Sequence, residues 1–235
     1  MGIMPHANPI NTFASEVYKT EFADWIHRLG VERVSMKTFV PYLSLAKVLR
    51  DLGYRTVGRV SLPVLNKYTM FSSHFDDYEL MDNHNDFAGM VRGVEFSSDQ
   101  PVFYFFNLGE THYPYMLTDM PKISGVHGVF KQRAQGAEHE DDSEEREFFD
   151  PTQMRMLRVQ QVRCVEYIDH LLGKLIEKAP ENTYFILTAD HGELFGEGGQ
   201  FGHGPTTQIK CFEVPFIEGM RPRMEIRPGR AKLFS

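Results

Sequence analysis

Hydrophobic positions along the chain fall into blocks with two alternating periods. Leu45, Val48, Leu49 and Leu52 recur at helical steps within residues 42–52, and Gly53 stops the run. Directly after it, Tyr54 to Val60 reads as a short strand, so a helix, a tight glycine turn and a strand follow one another as in α/β layering. A further helix is predicted from Ala14 to Leu29, closed by Gly30. The run PVFYFFN over residues 101–107 is continuously aromatic and β-branched after its proline, which predicts a strand covered on both faces. Pro151 opens the strongest helix, in which Met156, Val159, Val162, Val165, Ile168, Leu171, Leu172, Leu175 and Ile176 recur mostly at three- and four-residue steps. That helix ends near Pro180, and TYFILTA over 183–189 is the next buried strand. The alternation predicts an α/β fold, with a central, mostly parallel sheet sandwiched between helices.

Composition narrows the picture without changing it. A chain of 235 residues suits one large domain, and 42% hydrophobic with 24% charged residues is the balance of a soluble globular protein. A net charge of -7 argues against a nucleic-acid footprint, although a local metal still allows a small anionic substrate. No window approaches the roughly 18 consecutive apolar residues of a membrane span. Met1-Gly2 starts like a myristoylation signal, but His6 stands where Ser or Thr is required. Cys164 and Cys211 cannot build a disulfide framework and read as inert, reduced thiols, so the expected location is cytoplasmic. Residues 118–150 form an acidic inserted loop centred on EHEDDSEERE, and 221–235 a basic tail. Trp25 is expected in the core. Asp82, His84 and Asp86 alternate like cation ligands but lack the glycine of a calcium loop, and read as structure or substrate rim.

The densest chemistry is TADHGELFGEGGQFGHG at 188–204, immediately after a predicted strand. Ligands collect at the carboxyl ends of strands in open α/β sheets, and that is where Asp190 and His191 fall. Gly192 permits the turn that lets both reach one cation. His203 lies twelve residues beyond His191 across a glycine-rich loop able to fold back over the same place. Glu110 and His112 follow a second strand end, so two strands would aim three histidines and at least one carboxylate at one mouth. The combination predicts a metal-dependent site.

Those residues resemble the late metal-binding motif of the sulfatase branch of the alkaline phosphatase superfamily. The closest likeness is to members such as phosphonate monoester hydrolases and lipoteichoic-acid-synthase-like enzymes, with their Asp-His and later Gly-His. Other stretches agree in order: SLAKVLRDLGYRT at 44–56, HFDDY at 74–78, FFNLGETHYPY at 105–115, YIDHLLG at 167–173 and EVPFI at 213–217.

The resemblance implies a single alkaline-phosphatase-like α/β domain over 1–235 that hydrolyses sulfate, phosphate or phosphonate esters. It implies a divalent metal ion (Mn, Zn or Ca) on Asp190, His191 and His203. His203 would touch the metal or an anionic ester oxygen, and His112 would hold a substrate oxygen or protonate the leaving group. MGIMPH at 1–6 is similar to the family segment just after the nucleophile, so the expected nucleophile and first strand precede Met1. Thr12, Ser15 and Ser61 lie in no recognisable nucleophile turn. The fold is therefore expected to be N-terminally incomplete, with a second chain or a preceding segment completing the sheet. A non-catalytic metal- or anion-binding relative that keeps only the late half-site is the alternative.

Overall fold

A computed structural model describes residues 27–28, 44–69, 71–96, 99–117, 120–123, 126, 149–203, 206 and 208–222. The helix expected over 14–29 lies outside them except for helical His27 and Arg28; so do Trp25, most of the 118–150 loop and the tail after Pro222.

Helix α1 (Leu45–Asp51) begins where Ser44 Oγ accepts the Lys47 N–H, and the chain turns at Gly53 into strand β1 (Arg55–Val60). β1 is the centre of a three-stranded parallel sheet, flanked by β2 (Asp77–Leu80) and β3 (Val102–Asn107). Val57 stands opposite Asp77 on one side and Tyr104 on the other. Helix α2 (Phe87–Gly93) follows β2, with Asp86 accepting the Gly89 N–H at 2.8 Å. Helix α3 (Pro151–Lys178) starts with Pro151 in its first turn and Asp150 accepting the Thr152 N–H at 2.8 Å.

Where a single sheet is expected, the strands among the described residues pair in three separate groups. Strand β4 (Tyr184–Thr188) pairs antiparallel with β7 (Phe216–Met220), and the two-residue strands β5 (Leu194–Phe195) and β6 (Phe201–Gly202) form a small antiparallel ladder. Among the described residues the architecture is α/β with mixed parallel and antiparallel pairing. β4 is also not buried: Tyr184 and Ile186 are each more than half exposed. An apolar run of five residues marks a strand equally well whether one or both faces are covered.

Two cores meet along α3. Leu171 and Leu175 pack against Phe87, Met90, Val91 and Val94. Toward its start, Met154, Leu157 and Cys164 pack against Tyr115, Phe149 and Phe201. The predicted stripe of Met156, Val159, Val162 and Val165 instead lies about half exposed. Similarly, Ala46 is the buried residue of α1, while Leu45, Val48 and Leu52 face outward. Among the described residues no helix is long and apolar enough to cross a membrane.

Charge reinforces the β1–β2 pair. The Arg59 guanidinium grips both oxygens of Asp77, at 3.0 and 2.8 Å, and its Nε lies 3.2 Å from Glu79. This hydrogen-bonded fork holds the Asp77 carboxyl below its usual range, against the opposing effect of burial. A depressed carboxylate contributes stability above its unfolded pKa and loses it as pH falls through the folded value. Asp77→Asn is therefore expected to cost about 1 kcal/mol at neutral pH, the upper end for a pair open to water. Urea unfolding at about pH 7 and about pH 3 should show the difference from wild type shrinking at the acidic value.

Candidate metal centre

β4 delivers the chain to the site. After Thr188 the backbone passes Asp190 and His191 and is then pressed against a short 3-10 turn at Ile209–Cys211, where Gly192 N–H donates to the Cys211 carbonyl at 2.9 Å. A Cβ on residue 192 would stand 1.8 Å from the Lys210 carbonyl oxygen, so only glycine allows this approach.

The β5–β6 ladder sets the next contact. Leu194 pairs with Gly202 and Phe195 with Phe201, which places Glu193 and His203 opposite each other one step further out. The connecting loop opens on Gly196 at φ 106°, a left-handed conformation suited to glycine. It is tied down by Glu197, which accepts the Phe195 N–H and the Lys210 ammonium, each at 2.5 Å. Across the ladder end, His203 Nδ1 lies 3.1 Å from Glu193 Oε2. This hydrogen bond raises the His203 pKa above the usual imidazole range, with burial acting the other way.

His191 stacks on His203, ring centroids 3.7 Å apart and planes within 22°. Its Nδ1 sits 2.9 Å from the Gly192 carbonyl. A carbonyl only accepts, so this contact puts a proton on Nδ1, and in the neutral ring Nε2 then carries the lone pair, the arrangement found in metal-ligating histidines. Asp190 is largely exposed, with Oδ1 3.6 Å from that same Nε2. A proton on Nε2 or a shared cation would each make that contact attractive.

His191, Glu193 and His203 each offer a ligand atom, all within 4.8 Å of one another. Ligands 2.0–2.2 Å from one tetrahedral ion stand roughly 3.4 Å apart, so modest side-chain rotation closes the cluster. Two imidazoles and a carboxylate are a donor set that suits a divalent transition metal and leaves a coordination position open. Glu193 was not singled out by sequence reasoning. Its signal was present in the short DHGE spacing, but the hairpin register that opposes it to His203 is not visible there.

The second strand end arrives as expected in part. Beyond β3, His112 presents its ring edge-on to His203, with centroids 6.2 Å apart, and its Nδ1 lies 2.7 Å from the Tyr113 carbonyl. Three histidines therefore share one mouth. Glu110 turns away: it is 1% exposed, and its Oε1 accepts the Phe87 N–H at 2.7 Å, while burial raises its pKa. His84 also stands edge-on to His112, ring centroids 5.3 Å apart, in the stretch read from sequence as structure or rim. Asn85 in the same stretch donates to the Met116 carbonyl at 2.6 Å, which clamps that turn to the His112 loop. Ser61, the residue after β1, is buried at 2% exposure, while Thr12 and Ser15 lie outside the described residues.

No curated protein and no solved structure matches the chain. One family model does, described as Sulfatase, over residues 37–217. That match spans both strand ends, the three clustered histidines and Glu193, and with well over half of its length aligned the chain belongs to the sulfatase family.

Proposed function

We propose that the chain carries the metal site of a hydrolase acting on sulfate, phosphate or phosphonate esters. The observation that carries this reading is the His191, Glu193 and His203 cluster, assembled at a strand end with the tautomer of His191 preset for coordination. In this reading His191, Glu193 and His203 hold a divalent ion, and Asp190 swings in beside His191 as a further ligand. When bound, the ion supplies positive charge to ester oxygens that grow more negative in the transition state.

The chain's own residues do the remaining work. The Nδ1 contact of His112 with the Tyr113 carbonyl fixes its ring and leaves Nε2 as the atom that meets the substrate. Protonated there, His112 donates to the leaving oxygen; it also holds an anionic oxygen by the same bond. His203 neighbours both His112 and His191, so an ester oxygen held at His203 has the other two rings close by. The second reading, binding without turnover, draws on Ser61, a strand-end hydroxyl sealed in the core and so withheld from a bulky ester.

A panel of chromogenic sulfate and phosphate esters, with Mn²⁺, Zn²⁺ or Ca²⁺ and with chelator, separates the two. Metal uptake that His191→Ala lowers by at least about 100-fold is the expected result, and metal-dependent turnover beside it favours the hydrolase. Metal uptake without turnover favours the binding relative, and neither uptake nor turnover refutes the site.

Proton competition gives a further expectation. His203 must shed its proton to coordinate, and Glu193 raises the pKa at which it does so. Metal affinity measured by calorimetry should fall as pH drops through that raised value, with proton release visible as a dependence on buffer ionisation heat. Affinity constant across about pH 6 to 8 would remove His203 from the ligand set.

A further inference from the structure

The outward face of α3 has a composition that a solvated helix surface does not call for. Val159, Val162 and Val165 are each about half exposed, although β-branched residues lower helix propensity and gain nothing from water. With 3.6 residues per turn, Val162 lies at the centre of that face, and Val159 and Val165 stand about 60° to either side. Four exposed charges continue the same line: Arg155 and Arg158 before the valines, Glu166 and Asp169 after them, all within about 40° of Val162. Arg163 stands off the line, about 100° round the helix.

Within one helix these charges cannot serve each other. The basic pair is eight or more residues from the acidic pair, beyond the three- and four-residue spacing at which side chains meet. Arg155 Nη2 lies 3.4 Å from Thr152 Oγ1, and among the described residues none of the four is in an ion pair.

Outward from Val162, however, the stripe is its own complement. Valines stand three residues away in both directions; at four and seven residues come arginines on one side and carboxylates on the other. A two-fold axis at Val162 sets Val159 beside Val165 of the partner subunit, Arg158 beside Glu166 of the partner subunit and Arg155 beside Asp169 of the partner subunit. Parallel pairing in register would set arginine on arginine and carboxylate on carboxylate, so charge selects the antiparallel arrangement.

We propose that this face of α3 is the contact between two copies of the chain, which pair antiparallel about Val162 in a valine seam closed at each end by arginine–carboxylate pairs. The seam removes apolar surface from water, and the charges fix register and orientation. A single helix pair is a small interface, so the dimer is a weak one. The contact is independent of the proposed metal site.

Sedimentation of the full chain from about 1 to 100 μM should show a monomer–dimer equilibrium that weakens as salt rises. Arg155→Glu with Arg158→Glu makes all four charges acidic, and Glu166→Arg with Asp169→Arg makes all four basic. Each double variant should self-associate at least about 100-fold more weakly, and an equimolar mixture of the two should dimerise again. Val162→Cys should cross-link to its own copy under mild oxidation, whereas Lys174→Cys, about 36 Å from its copy in this pairing, should not. Cys164 and Cys211 are buried and do not compete. A wild type that stays monomeric throughout overturns the proposal, whether another segment of this chain or a different protein covers the face. So does a dimer that both charge variants keep, or a mixture that stays monomeric while each variant retains wild-type helical circular dichroism. If a charge variant unfolds, the cysteine variants decide: no cross-link at residue 162, or equal cross-linking at 162 and 174, overturns the proposal.

Discussion

The packing of Tyr115, Phe149 and Phe201 on the first half of α3 is the constraint on which the site depends. Leu157 and Cys164 of α3 have no solvent exposure, and Met154 is 4% exposed beside them. Each fully buried large apolar side chain contributes about 1.5–3 kcal/mol. That layer is shared by the loop after β3, which carries His112, and by β6, which carries the chain to His203. Among the described residues no strand pairing joins the two loops, whereas this apolar floor touches both. The second half of α3 meanwhile seats α2, whose first turn is fastened to the His112 loop through Phe87 and Glu110.

Above the floor, polar geometry is mostly local in origin. His112 and His191 each direct Nδ1 at the carbonyl of the next residue, so both rings are oriented by their own backbone turn. His203 is different: its partner is Glu193, opposite it across the β5–β6 ladder. In a half-buried place, where an ion pair is less screened than in water, that contact favours the protonated imidazole. The same carboxylate competes for proton and metal, which makes Glu193 and His203 one coupled unit. Asp190, by contrast, faces solvent and reaches the cluster through His191.

Much of the architecture was legible because it is written in short-range patterns. The Pro151 start and helical spacing marked α3, glycine after Leu52 marked the turn into β1, and the apolar runs marked β3 and β4. Less legible was which side of each element is covered. The valines of α3 recur at helical spacing yet stand half exposed, because Met154, Leu157 and Cys164 define another face that meets the aromatic cluster. Periodicity measures the angle between side chains and carries no information about where the neighbouring layer lies. Likewise, an apolar strand does not name its partner, and the β4–β7 pairing is antiparallel where a parallel sheet was expected.

The sequence by itself determined the chemistry available at the site: Asp190, His191 and His203 around a glycine-rich loop, with His112 after another strand. Only the tertiary structure decided which carboxylate joins the histidines. Glu193 does so because the Leu194–Gly202 pairing sets it opposite His203, and because Gly192 lets the backbone press against Lys210 and Cys211. Glu110, equally acidic and close to His112, is instead consumed at the start of α2. Residue types follow from local pattern, but their meeting is set by register and close backbone approach, which arise between segments that no local window contains.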